Sequence, residues 1–285
     1  MKVLIIGCTG QLGTDLVRAM KDKELVTLSR RELEVCNFDN TRKILNEHGS
    51  DIVINTAAYH KVDECEDNVE KSFRVNAYAM RNLADTCREL DYTLVHMSTD
   101  YVFDGQKKRP YTEEDTPNPL NVYGVSKLAG EYFVRNLCEK YFIVRTSGLY
   151  GVAGASGKGG NFVELMLRLA RENKPIRVVN DQVLTPTYTK ELAEKMKQLI
   201  ETEQYGLYHI TNNGECSWYE FARTIFQSVG LRPDISPVAT EEFGAKAKRP
   251  KYSVLDNASL REIGLDNMRA WKEALKAYLR EKGWI

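Results

Sequence analysis

The sequence predicts an α/β protein, a doubly wound parallel sheet with a smaller C-terminal lobe for substrate. Three observations carry this expectation. Apolar runs of strand length alternate with stretches of helical periodicity through Arg145. A glycine turn stands between the first strand and the first helix. After Arg145 the alternation breaks and a glycine-rich stretch begins.

Each element has its own reason. Residues 2–6 are a short apolar run that leads into a helical pattern at 11–21. Residues 24–28 form the next apolar run. A helical stretch near 41–48 precedes Asp-Ile-Val-Ile at 51–54, the third strand. Residues 69–90 read as one long helix, 92–97 and 141–145 as the fourth and fifth strands, and 121–138 as the helix between them. Strands separated by helices argue for βαβ units, whose right-handed crossovers put helices on both faces of a parallel sheet. Beyond Arg145, residues 151–160 (GVAGASGKGG) are expected to be a mobile loop. A helix at 161–172, a strand at 176–179, a helix at 189–200 and a strand at 206–210 follow. Ser217 caps the next helix, with Glu220 three residues on completing a capping box. Residues 232–252 look irregular, and helices at 260–263 and 270–282 close the chain. The domains are therefore expected at 1–147 and 148–285, with elements near 181–205 returning to the first.

The chain has 285 residues, long for one compact core and suited to a large domain with a smaller lobe. Lys+Arg and Asp+Glu both number 40, so net charge gives no general pull toward nucleic acid or an anionic membrane. No apolar run is long enough to span a bilayer, and the N-terminus reads as a first strand rather than a signal peptide. A cytoplasmic protein is expected. The six cysteines show neither C-x-x-C nor zinc-site spacing, and read as free thiols in a reducing compartment.

Gly7-Cys8-Thr9-Gly10-Gln11-Leu12-Gly13 has the spacing G-x-x-G-x-x-G. The first glycine allows the tight turn, the second lets backbone approach a pyrophosphate, and the third lets the helix pack on the strand. The helix N-terminus then offers N–H groups and positive dipole to phosphates. The sheet is accordingly Rossmann-type, and Gly7, Thr9, Gly10, Gln11, Leu12 and Gly13 are candidate dinucleotide contacts. The second strand runs into Ser29-Arg30-Arg31, with no acid until Glu32. An acid there would hold the ribose hydroxyl of NAD, whereas an arginine suits the 2′-phosphate of NADP. NADPH is favoured and NADH stays open. Ala57 and Ala58, before Tyr59, would let a cofactor lie close over the end of the third strand. Asn76, on a helix facing this edge, is expected to brace the Lys127 region and to join the cofactor site.

Tyr123-Gly124-Val125-Ser126-Lys127 puts Tyr and Lys at i and i+4, on one helix face. A free phenol with a pKa near ~10 is a poor acid at neutral pH, and a nearby ammonium is expected to lower that value. Such a phenol can protonate a carbonyl oxygen as hydride reaches its carbon. Ser98-Thr99-Asp100 ends the fourth strand, where Thr99 or Ser98 can hydrogen-bond a substrate carbonyl. Asp100 is a candidate for a sugar hydroxyl or a proton relay, against the alternative of a turn cap.

These residues resemble the extended short-chain dehydrogenase/reductases and, within them, the dTDP-4-dehydrorhamnose reductases. The carrying segments include GCTGQLG, NTAAYHKVDECE, STDYVFDG, PLNVYGVSKLAGE, RTSGLYG and VVNDQVLTPTYTKELA, collinear from residue 7 to about 222. The resemblance implies reduction of the 4-keto group of a dTDP-6-deoxyhexulose (dTDP-4-dehydro-L-rhamnose), with Thr99, Tyr123 and Lys127 as the catalytic set. Tyr123 would be the acid, Lys127 its electrostatic partner and a ribose ligand, and Thr99 the donor to the carbonyl. Asp100 would sit beside the sugar, Asn161 would contact the substrate and Arg249 would hold the diphosphate. A homodimer is also implied. Relatives often carry tryptophan after RTS, where this chain has Gly148, which removes an aromatic wall from the sugar pocket. Some relatives place magnesium at a dimer interface. Asp15 and Glu191 match those positions, but two separated carboxylates are usually surface charges, and no metal is expected. Two other readings stay open: a reductase or epimerase for another nucleotide sugar, and a regulatory subunit that binds dinucleotide without turnover.

Overall fold

The computed structural model describes residues 1–154, 159–172 and 174–285. β1 (Lys2–Ile6) and β3 (Ile52–Asn55) are almost wholly buried, as runs of Val, Leu and Ile require of central parallel strands. Between them lie α1 (Gln11–Ala19), β2 (Glu24–Leu28) and α2 (Phe38–His48). α2 starts earlier than its apolar periodicity shows because Asn37 caps it, its side chain accepting the Asn40 N–H. The long helix expected at 69–90 runs on unbroken but widens in its middle. After α3 (Val62–Asp67), α4 (Val69–Phe73) widens into a π-turn (Arg74–Tyr78) before α5 (Ala79–Glu89). Such turns concentrate at functional sites, and this one carries Asn76. β4 (Thr93–Thr99), α6 (Val122–Leu137) and β5 (Tyr141–Thr146) complete the first half.

The second half mixes elements of two cores. In chain order these are β6 (Leu149–Tyr150), α7 (Phe162–Arg171), β7 (Ile176–Val179), β8 (Val183–Leu184), β9 (Thr187–Tyr188), α8 (Thr189–Ile200) and β10 (Gly206–His209). β11 (Cys216–Ser217), α9 (Trp218–Ser228), β12 (Ile235–Val238), α10 (Thr240–Phe243), α11 (Ala258–Glu262) and α12 (Trp271–Glu281) follow. The capping box at Ser217 forms as expected. The stretch 232–252 is not irregular throughout, since β12 pairs in parallel with β7 and α10 follows. Pro237 masks this strand in the sequence, yet a proline is tolerated where only one neighbour is paired. The loop expected to be mobile at 151–160 lies partly outside the described residues.

The sheet runs β10-β5-β4-β3-β1-β2, every pair parallel. The chain passes from β1 to β2 on one side, then returns to β3 on the other. Such a reversal opens a crevice at the carboxyl ends of the strands. One face buries Val3, Ile5 and Ile54 against α1 and against Leu192, Met196 and Leu199 of α8. The other buries Leu4, Ile6 and Val53 against Leu83 and Ala84 of α5 and Val134 of α6. A separate apolar cluster joins Tyr150, Val163, Phe221, Trp271 and Tyr278. Thus α8, β10 and α11 return to the sheet, while β8 and β9 pair with β11 and β6 outside it.

Candidate active site at the carboxyl edge of the sheet

The chain leaves β1 at Gly7 with a φ of +82°, a conformation that glycine adopts at little cost. A Cβ there would stand 2.5 Å from Thr56 Oγ1. The Gly7 N–H donates to the Leu28 carbonyl at 2.8 Å, tying the turn to β2. At Gly13 a Cβ would lie 2.2 Å from the Gly7 carbonyl oxygen, so α1 packs on the turn with no room for another residue. Gly10 caps α1 without a side-chain acceptor, and the first turn contains no acid. The helix therefore presents backbone N–H groups and the positive end of its dipole to the crevice. Leu12 itself packs in the core, leaving its backbone for a ligand. Gln11 Oε1 is buried without a hydrogen-bond partner among the described residues. A pyrophosphate fits this cradle.

At the end of β3 the Ala57 N–H donates to Asn55 Oδ1 at 3.1 Å. Asn76 Oδ1 accepts the Tyr59 N–H at 2.9 Å, and its Nδ2 donates to the Tyr59 carbonyl and to Ser126 Oγ, both at 3.0 Å. Ser126 Oγ in turn donates to the Tyr123 carbonyl at 2.8 Å. Asn76 thus clamps the loop 57–59 to the turn of α6 that carries Tyr123 and Lys127. The π-turn supplies the offset that aims it there.

Thr99 ends β4 beside the Tyr123 side chain. Tyr101 meets the Tyr123 ring edge-on at 5.9 Å between centroids. Lys127 is buried on the same face of α6, and its Nζ donates to the Met97 carbonyl at 2.5 Å. The lowering of the Tyr123 pKa expected from Lys127 does not appear. Burial pushes the phenol up, the Thr99 hydrogen bond opposes this, and the Asp100 charge adds to it. The reason is geometric, because the ammonium is directed at a β4 carbonyl rather than at the phenol oxygen. Burial also pulls Lys127 down from 10.5 to about 8, against the raising effect of Glu131.

Four other candidates take places that differ from expectation. Ser98 and Thr99 point to opposite faces, as strand alternation requires. Ser98 donates to Glu131 in the core, and Arg145 donates to the same carboxylate at 2.9 and 2.6 Å. Ser98 thus gives its hydroxyl hydrogen bond to the core charge pair. Asp100 is buried, with Oδ1 accepting from Thr99 at 3.0 Å and Oδ2 from Ser147 at 2.9 Å and Ser253 at 2.6 Å. Burial raises its pKa to about 6 despite these donors. Asn161 is the N-cap of α7, and its amide donates to the Gly151 carbonyl at 2.9 Å and to the Tyr278 hydroxyl at 3.1 Å. Its polar atoms are spent inside the lobe. Arg249 grips Asp63 with two bonds of 3.1 and 2.8 Å beside Tyr101. Arg30 is 82% exposed at the end of β2, where its Nε donates to Glu34 at 2.7 Å. Clefts of about 600 Å³ beside Arg168 and Trp284 and about 400 Å³ beside Lys23 and Thr93 both lie away from these groups.

The RmlD substrate binding domain family matches residues 1–283. The chain belongs to this family. It is 41% identical to the spore coat polysaccharide biosynthesis protein SpsK of Bacillus subtilis (strain 168), over 99% of this chain and 98% of that one. The crystal structure of a dTDP-4-dehydrorhamnose reductase from Clostridium acetobutylicum superposes with a TM-score of 0.95 at 42% identity, covering 99% of this chain and 100% of that one. The Bacillus anthracis dTDP-4-dehydrorhamnose reductase, solved in complex with NADP, gives 0.94 at 41% identity, covering 98% and 99%.

Two features of this RmlD-family chain bear on expectations set by the resemblance. Gly148 has a φ of +56°, and a Cβ there would stand 2.7 Å from Leu184 Cδ1 and 3.1 Å from Pro186 Cα. The β8–β9 segment itself closes the space that a side chain would take. Asp15 and Glu191 are buried rather than surface charges. Asp15 accepts from Thr189 at 2.6 Å, whereas Glu191 accepts from Asn212 at 2.7 Å and is paired with Arg269. No group of three or more ligating side chains occurs among the described residues. Glu131, Arg145, Ser147, Ser253 and Asp63 were not singled out from sequence. Glu131 alone carried a local signal, lying at i+8 from Tyr123 on the same helix face.

Proposed function

We propose that the protein reduces the 4-keto group of dTDP-4-dehydro-L-rhamnose to give dTDP-L-rhamnose, with NADPH as reductant. The observation that supports this reading is Thr99 at the carboxyl end of β4 beside Tyr123 of α6, with Lys127 buried on the same helix and the glycine turn at the carboxyl end of β1 in the same sheet. Reduced nicotinamide, when bound, supplies a hydride to the sugar carbonyl carbon. Tyr123 gives its proton to the carbonyl oxygen. Burial keeps the phenol protonated at neutral pH, which suits the acid of a reduction. The Thr99 hydroxyl supports the phenolate that results, and Lys127 adds a positive charge and a donor toward the ribose. The α1 N-terminus holds the pyrophosphate, and Arg30 pairs with the 2′-phosphate after leaving Glu34. Residues 1–147, with α8 and β10, hold the cofactor, and the later lobe holds the nucleotide sugar. There Arg249 exchanges Asp63 for the diphosphate. The names of the relatives support a product destined for a surface polysaccharide.

The test is oxidation of NADPH by the purified protein with the 4-keto sugar nucleotide generated in situ, followed by identification of dTDP-L-rhamnose. Turnover with NADPH faster than with NADH supports the whole reading. Cofactor binding without turnover would reject this substrate.

A further inference from the structure

Behind the proposed site lies a charge pair that its chemistry does not use. Glu131 and Arg145 are each 1% exposed and joined by two bonds of 2.9 and 2.6 Å. Burying both charges is costly, and an apolar pair of similar volume would often be at least as stable. The pair's position gives it a task. Tyr123, Lys127 and Glu131 follow one another at four-residue spacing on the inner face of α6. Arg145 anchors the carboxylate to β5, and Ser98 anchors it to β4. The other titratable groups around Lys127 do not offer it a negative charge. His96 on β4 is buried with no partner for either ring nitrogen among the described residues, and burial keeps it neutral. His209 on β10, against Arg145, is likewise held neutral, down at about 3. The thiol of Cys65, from α3, lies on the Tyr123 side.

We propose that Glu131 is a positioning residue, a buried carboxylate clamped by Arg145 and Ser98 that keeps Lys127 a cation beside Tyr123. This rests on the reductase reading for its consequence in catalysis, but not for its measurement. The direction of the Lys127 shift supports it, since burial pulls the ammonium down and Glu131 is the charge that raises it. Without that charge Lys127 loses its proton at lower pH, and the proposed site loses the cation that would donate toward the ribose.

The test follows the titration of Lys127 by the NMR shift of its labelled ε-carbon, assigned as the resonance missing in Lys127→Met. The wild-type signal is expected to titrate near pH 8. Glu131→Gln should move the midpoint down by about one unit or more. Glu131→Gln/Arg145→Met removes both buried charges together, leaves neither unpaired, and should also lower the midpoint, since Glu131 is the charge that raises it. If Glu131→Gln does not fold, the double variant carries the test by itself. A midpoint unmoved in a folded variant overturns the proposal. The alkaline limb of NADPH oxidation should shift with the midpoint. Failure of wild-type turnover would reject the reductase reading and leave the Lys127 titration to decide this one.

Discussion

Tyr123 holds its proton because the protein around its hydroxyl disfavours a phenolate, and Thr99 alone partly offsets that. Tyr123→Phe should therefore abolish reduction while leaving NADPH binding intact by fluorescence titration. Asp100 behaves differently. Its folded pKa of about 6 is raised from 3.8, so between these values the native state binds more protons than the unfolded chain. Stability contributed at this position is thus greatest below pH 4 and falls as pH rises through 6. Asp100→Asn removes the dependence. Relative to that variant, the wild type should lose on the order of 3 kcal/mol across the window in denaturant titrations, and a flat difference would contradict the burial account. At this scale Thr99, Tyr123 and Lys127 could be named as candidates because helical spacing and a strand terminus are local signals. Ser98 was separable from Thr99 only through the register that places Ser98 opposite Arg145. The structural partners of Asn161 and Arg249 were not legible, since Tyr278 and Asp63 lie more than a hundred residues away.

Among elements, the turn between β1 and α1 is the most constrained. Gly13→Ala would drive a methyl into the Gly7 carbonyl. It should lower the melting temperature and weaken NADPH binding at least about tenfold, as the helix N-terminus is pushed off the phosphates. Gly230→Ala, whose Cβ meets open space, should leave NADPH affinity unchanged. The π-turn offers a second test. Asn76→Ala leaves the Tyr59 N–H and carbonyl without their partner and should cost about 1–3 kcal/mol in denaturant titrations. It should also raise the KM for NADPH by loosening the loop against α6. The strand and helix order of the first half was readable from alternation alone. The π-turn was not, because widening a helix by one residue leaves its apolar period almost unchanged, and the gain appears only in the clamp it aims.

For the molecule as a whole, the sheet and the later lobe have separate cores. Asp15 on α1 and Thr189 on α8 join across one sheet face at 2.6 Å. Phe221→Ala in the lobe should cost about 3–5 kcal/mol by cavity formation. It should weaken dTDP binding more than NADPH binding, measured by calorimetry at a temperature where the variant remains folded. Equal losses for both ligands would contradict the proposed division of labour. The sequence carried the parallel sheet through short-range rhythm. It pointed to a return near 181–205, where α8 lies, but not to the return of β10 and α11, because such pairings depend on register with strands formed far earlier in the chain.

The account turns on hydride reaching the sugar carbonyl carbon while Tyr123 protonates its oxygen. Its most direct test uses NADPH bearing deuterium at the transferable position, with the product examined by NMR. Deuterium at C4 of dTDP-L-rhamnose in the wild-type reaction, and none in the Tyr123→Phe reaction, is the result predicted. Unlabelled product, or the same labelled yield from Tyr123→Phe, would contradict it.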